Sequence, residues 1–362
     1  MDSVMTQYAV RRRFVAGVAI IAGIPALLAA APASPARDGQ SGLSVRVFAA
    51  GNATMFGPDD ITTLDGGIYV GWQNGVGSMG EPSSTGVTAG TVIGYSTRGD
   101  RRASWRLTGK IDGLSADPTN HRLIATVNED GNSSLYTISP EAPAGDQIAH
   151  YTYNVQPLTH GGGTDAISVY HGAILISASA PTVSEGPAVF RVRLTSRGVA
   201  IVQPVFFDNS SATVANVNSA HDGQRVALAL TDPDSNEVVP PASPRFAGDF
   251  VLDSQGDGEQ IYVDGATGAA PRLSVLRLSQ SVDDTAWATD AGGTLFVTDA
   301  VDNEIFSVRG AFVPGTAYVA VTPGDATIPL NHPNYLGRLD IRTGHIATVV
   351  TTIQAKGLVF VP

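Results

Sequence analysis

Six positions carry chemically related residues at a recurring interval: Asp60, Asp112, Asp165, Asn216, Asp284 and, in the last copy, Lys356. The first three intervals are 52, 53 and 51 residues, and the next two, 68 and 72, each contain an insertion. If a repeated unit brings these side chains together, four carboxylates and an amide share one small volume and repel each other. A hard cation with several oxygen ligands would offset that charge, and Ca²⁺ suits such a set best. On this reading Asp60, Asp112, Asp165, Asn216 and Asp284 are metal ligands, and Lys356 substitutes in part for the ion. The same set could serve hydrolysis. The cation would polarise a lactone or ester carbonyl, and Asp112 or Asp165 would take a proton from water as the general base. The plainer alternative is that these residues cap turns or line a hydrated tunnel, with no cofactor.

The elements that must position them are short strands. Val282–Val308 reads as three of them, Thr285–Thr289, Leu295–Thr298 and Ile305–Val308, split by tight turns at Asp290–Gly293 and Asp299–Asn303. Apolar and β-branched residues fill the strands, and Gly, Asp and Asn fill the turns. Weaker copies start at Asp59-Asp60-Ile61, Ile111-Asp112-Gly113-Leu114, Thr164-Asp165-Ala166 and Ala215-Asn216-Val217, and a last look-alike is Ala355–Val361. Asp232 to Gly248 reads as an insertion in the fourth copy. A period near fifty with four strands per unit predicts an all-β fold, a β-propeller of four-stranded blades. Six blades are expected, with seven as the alternative. Strand Ser44–Ala49 and the C-terminal strand would share the last blade and close the ring, leaving no open sheet edge. Segments Thr316–Val321, Tyr335–Ile341 and His345–Val350 would supply the rest of the irregular last blades.

In a propeller the first strand of each blade lines the central channel, so the recurring slot becomes a ring. The loops after each second strand open on the same face. Trp72, Asn74, Asn128, Glu129, Asp232 and Asp299 come from those loops, or from the strand end that leads into one. They form an acidic, amide-rich rim suited to a small polar molecule such as a sugar or lactone, or to a protein partner.

Leu295–Val308, LFVTDAVDNEIFSV, resembles the repeat of NHL-type propellers, and the unit starts at Asp112 and Asp284 are similar to those of gluconolactonase-like six-bladed propellers. The resemblance runs from about Asp59 to Pro362. It implies a metal held at the channel by Glu, Asn and Asp and hydrolysis of lactones. In this chain the slot holds Asp, Asn and Lys.

Composition narrows the partners. The chain has 362 residues, 43% of them hydrophobic, with 40 Gly and 22 Pro, enough for a large core with many tight connections. Residues 1–36 read as an export signal. Arg11-Arg12-Arg13-Phe14-Val15 has the twin-arginine form, an apolar run follows to Ala31, and small residues offer cleavage after Ala33 or Ala36. An ordinary secretory signal fits as well, and an uncleaved anchor is the remaining alternative. Residues 37–362 would then form one propeller domain, periplasmic or extracellular, monomeric, with no membrane span. They hold 19 basic and 32 acidic residues, a net charge of −13, with no basic run, which argues against nucleic-acid and anionic-membrane binding. The absence of cysteine excludes disulfides and thiol chemistry. Gly75–Gly80 matches G-x-G-x-x-G, yet Glu81-Pro82-Ser83-Ser84 cannot open a helix over a pyrophosphate. No G-x-S-x-G accompanies His160-Gly161-Gly162-Gly163, so a serine-hydrolase triad is not expected.

Overall fold

The computed structural model describes residues 37–38, 42–322 and 334–362. The expected export signal and its cleavage points lie outside them. Apart from one 3₁₀ turn at Pro118–Asn120, the regular structure among the described residues is strand. No helix among them is long and apolar enough to cross a membrane.

Several inner and middle strands are buried along their whole length, as in Ala173–Ser177 and Val282–Trp287. The fourth strand of a sheet alternates instead, as Arg101–Thr108 does, with Trp105 and Leu107 in and Arg106 and Thr108 out. Sheets packed face to face require this gradient, because only their outer edges meet water. Two-residue turns close several hairpins. Asp65-Gly66 and His171-Gly172 both have positive φ at each residue, the type I′ geometry that follows the twist of the strands.

Three sheets run in sequence order. The first is Pro58–Leu64, Gly67–Trp72, Ala89–Tyr95 and Arg101–Thr108. The second is Ile111–Asp117, Arg122–Val127, Ser134–Ile138 and Ile148–Tyr153, and the third Ile167–Tyr170, Ala173–Ser177, Pro187–Leu194 and Val199–Phe207. The outer strands of the second and third pair in parallel, joining them edge to edge. The inner strands Pro58–Leu64, Ile111–Asp117, Ile167–Tyr170, Pro233–Val238, Val282–Trp287 and Leu358–Val361 each touch the next, and the last touches the first. Apolar clusters fill the spaces between neighbouring sheets all the way round. Leu64, Trp105 and Leu123 pack between the first two sheets, and Trp72, Ile93, Phe296 and Ile305 between the last and the first. The molecule is an all-β propeller.

Three details differ from the sequence expectation. Val282–Val308 is not one unit. Val282–Trp287 pairs with Ala317–Val321, followed by Tyr335–Leu339 and Ile346–Val350. Thr294–Asp299 and Glu304–Arg309 belong to the closing sheet, between Leu358–Val361 and Ser44–Ala50. The two chain ends therefore share a sheet with two strands between them, and the segments read as filling the irregular last blades complete the fifth sheet. The fourth sheet starts at Pro233–Val238, inside the stretch read as an insertion, and continues through Phe250–Ser254, Glu259–Asp264 and Arg272–Arg277. The hairpin Ser211–Val214 and Arg225–Ala227 is added to its outer edge.

Candidate functional site

Inner strands of the first, second, fourth and fifth sheets start with a β-bulge, between Pro58 and Ile61, Ile111 and Leu114, Pro233 and Asn236, and Val282 and Asp284. A bulge sets two residues against one and re-aims their side chains. The first bulge residue, or its equivalent in the other two sheets, is Asp59, Asp112, Asp165, Asp234, Asp283 and Lys356, and all six line one axial cavity of about 60 Å³. At roughly 10–15 Å³ per water centre, that volume admits a few waters or one small head group rather than a whole sugar.

Asp112, Asp165 and Lys356 thus stand in the expected slot, while Asp60 and Asp284 lie one residue beyond it. Asp60 Oδ2 accepts the Leu114 N–H of the next sheet at 2.6 Å, and Asp284 Oδ2 accepts that of Leu358 at 2.6 Å. The two line the cavity but staple neighbouring sheets. Asn216 is elsewhere. It lies between the two strands of the added hairpin, and its amide bonds the backbone of Arg277 and Thr343. Asp59, Asp234 and Asp283 are ring members that the sequence reading missed.

Loops after the second strands hold the ring from above. Gln73 donates to Asp59 at 2.7 Å and to Asp112 at 3.2 Å, and Gln255 donates to Asp283 at 2.7 Å. The Glu129 N–H bonds Asp112 Oδ2 at 3.2 Å. Lys110 pairs with Asp112 at 2.9 Å and with the Glu129 carboxylate. Lys356 Nζ lies 3.1 Å from Asp59 Oδ1 and 3.0 Å from both oxygens of Asp283.

Of the expected rim residues, Glu129 alone lines the cavity. Trp72 is in the core between sheets, where an aromatic at a strand end fills apolar space. Asn74 and Asn128 adopt positive φ and bond neighbouring segments, Asn74 to Phe56, Ala89 and Thr91, Asn128 to Lys110 and Asn132. Asp299 is fully buried and accepts the N–H groups of Val301, Asp302 and Gln354. Asp232 precedes the fourth inner strand, and its carbonyl receives Gln255 N–H.

Burial raises the pKa of most ring carboxyls. Asp165 is pushed up to about 7, by burial first and by the charges of Glu129 and Asp59, against a hydrogen bond from Asp234. Asp234 is raised well above the usual range, by burial and then by repulsion from Asp165 and Asp283. Asp234 therefore carries the proton and Asp165 the charge, and the pair titrates as a unit. Asp112 is also raised well above its usual range, by burial and by Glu129, with Lys110 opposing. Burial works against the charge of Lys356, but Asp283, Asp59 and Asp234 overcome it and hold the ammonium well above the ordinary lysine range.

The oxygen-only donors match calcium's preference, yet the expected set does not assemble. No three acidic or histidine groups among the described residues are arranged to hold a metal ion. Asn216 is remote, Asp60 and Asp284 are spent on backbone N–H groups, and ammoniums pair with Asp59, Asp112 and Asp283.

No protein-family model matches the chain, and no curated protein matches it. Among solved structures it is similar to the periplasmic gluconolactonase PpgL of Pseudomonas aeruginosa, at 12% identity over 84% of this chain and 88% of that one, with a TM-score of 0.46. It is similar to the glutaminyl cyclase of Myxococcus xanthus, at 16% identity, 74% and 97% coverage and a TM-score of 0.40. A chain of a nidogen–laminin complex gives 10%, 89% and 96%, and 0.49. At such identities and TM-scores these likenesses assign the chain neither a family nor a role for any side chain.

Proposed function

We propose that the protein is an exported propeller that binds a small polar ligand, or an exposed group of a protein partner, through a cationic head at the acidic mouth of its channel. One observation carries this reading: among the described residues, nine carboxyl side chains and a single ammonium line one cavity. The cavity's size fits an ammonium or guanidinium head, with the rest of the ligand outside. Asp165 is the carboxyl with charge to offer, since Lys356 already satisfies Asp59 and Asp283 and Lys110 pairs with Asp112 and Glu129. Export rests on Arg11–Arg13 and the apolar run after them. Titration calorimetry with primary amines, guanidinium compounds, neutral sugars and carboxylates tests the proposal. Binding confined to the cations, weakened by salt, supports it, and binding of neutral sugars alone overturns it.

A second reading is favoured by the Asp165–Asp234 pair, which sets a proton acceptor beside a proton donor near neutrality. In hydrolysis of a lactone or ester, Lys356 would polarise the carbonyl. Asp165 would take the proton of the attacking water, the acyl C–O bond would break, and Asp234 would protonate the leaving oxygen. Asp112, held by Gln73, Lys110 and the Glu129 N–H, is less suited to be the base. Turnover of a lactone and ester panel, lost in Asp165→Asn, would establish it, and no turnover across the panel would reject it.

A further inference from the structure

We infer that a cleft between the outer strand of the closing sheet and a turn of the first sheet is a second binding site, which takes a phosphate or sulfate ester through three arginines. Arg46, Arg98 and Arg309 line one cavity of about 500 Å³, and none of the residues lining it belongs to the axial channel. The three come from distant parts of the chain, so no basic run marks them in the sequence.

The ladder brings two of the charges together. Arg46 stands opposite Ser307, and Ser44 opposite Arg309, in antiparallel register. Residues two apart share a face, so Arg46 and Arg309 point the same way while Val45 and Val308 are buried on the other face. The two arginines are diagonal neighbours there, within reach of each other's side chains. Arg98 is carried to them by the turn that follows Ala89–Tyr95, and that turn is tightly fixed. Ser96 Oγ accepts the N–H groups of Arg98 and Asp100, each at 3.2 Å, and a Cβ on Gly99 would stand 2.3 Å from the carbonyl oxygen of Phe48. Phe48 lines the cleft as well, its ring edge-on to Tyr95 and Phe296. Among the described residues none of the three arginines pairs with a carboxylate. Asp100, the acid of the turn, does not line the cleft, and its carboxylate accepts the Ser96 hydroxyl at 3.1 Å. Three like charges on one cavity repel unless an anion joins them. Guanidinium forks match the oxygens of a tetrahedral oxyanion bidentately, and the Thr97 hydroxyl on the same cavity adds a donor. A cleft of this size admits the ester group together with part of the molecule that carries it.

The test is titration calorimetry in low-salt Tris with glycerol phosphate, glycerol sulfate and, as the neutral control, glycerol. Wild type should bind one equivalent of at least one ester, less tightly as salt is added, and no glycerol. The tighter ester identifies the head group. Replacing Arg46, Arg98 and Arg309 together by Gln should weaken binding by tenfold or more, on the order of one charge-assisted hydrogen bond lost. Replacing the exposed Arg191, Arg193 and Arg197 of the third sheet by Gln removes the same charge elsewhere and should change affinity less than twofold. If the first triple variant does not fold, Arg98→Gln, confined to an exposed turn, must by itself weaken binding by several-fold. Absence of binding by either ester overturns the inference. So does binding that survives loss of Arg46, Arg98 and Arg309, or that falls equally in both triple variants. Asp165→Asn should leave ester binding unchanged, so this inference and the channel reading fail separately.

Discussion

Thr298 donates its hydroxyl to the backbone carbonyl of Asp59 at 2.5 Å, across 239 positions of sequence. The bond joins the closing sheet to the first. Thr126 makes the equivalent joint between the second and third sheets, accepting the N–H of Gly113 and donating to the carbonyl of Asp165. Removing either hydroxyl leaves a buried N–H and a buried carbonyl short of a partner. Thr298→Val and Thr126→Val are each expected to lose about 1–3 kcal/mol of unfolding free energy, and the Ser variants much less. Urea denaturation measures this, and Val variants as stable as wild type would contradict it.

Gly113 and Gly357 lie where the next sheet's backbone comes closest. A Cβ on Gly113 would stand 2.3 Å from the carbonyl oxygen of Asp165, and one on Gly357 2.3 Å from that of Asp59. Gly113→Ala and Gly357→Ala should each cost about 1–3 kcal/mol through overpacking. Gly145 has open space around its Cβ position, so Gly145→Ala should stay within about 0.5 kcal/mol of wild type. The contrast among the three variants, read from thermal melts, checks the close approach of the sheets.

Acidic residues with raised pKa values make stability fall as pH rises. Asp165 moves from an ordinary value of 3.8 to about 7, and Glu237 from 4.5 to about 7, in both cases mainly by burial. Between those limits the native state binds more protons than the unfolded state, so its advantage is full below about pH 4 and is lost as the pH climbs through 7. Asp165→Asn, which still accepts from Asp234, should flatten that part of the profile and be relatively more stable at pH 8. Unfolding free energies from pH 4 to 8 would show it. An unchanged slope would mean that Asp165 is not buried beside Asp234.

The same pair sets the pH dependence of ligand capture. A cationic head needs Asp165 ionised, so affinity should rise as the pH passes through about 7. Asp165→Asn should weaken a bound amine by about tenfold, the cost of one charge-assisted hydrogen bond. Asn216→Ala, remote from the channel, should leave affinity unchanged. Calorimetry at pH 6 and 8 separates these outcomes.

The repeat was legible wherever the inner strand kept an apolar residue after its slot. Ile111-Asp112-Gly113-Leu114 and Ala355-Lys356-Gly357-Leu358 are equivalent in the fold as they are in the chain. Asp59-Asp60 and Asp283-Asp284 misled by one position, because two adjacent carboxyls fit the slot equally well in sequence and the bulge decides which one faces the channel. Asp234 was hidden since Pro233, Ser235 and Asn236 have no apolar pattern, although they start a strand in the middle of the ring. Sheet membership at the C-terminal end was not legible either. Thr294–Asp299 looks like any buried strand, and nothing local tells it to skip Val282–Trp287 and join the chain ends. Trp72, Asn74 and Asn128 illustrate the opposite error, where residues favoured in binding loops fill the core or tie neighbouring segments together.

The closing sheet gathers strands from the beginning, the late middle and the very end of the chain, and its innermost strand directly follows Lys356 and Gly357. Assembly of the toroid thus waits for the final residues to arrive. Those residues bring with them the one positive charge that lines the acidic well among the described residues, so locking the circle and quieting its self-repulsion are a single event. A chain cut short before Lys356 would lack both the latch and the neutraliser.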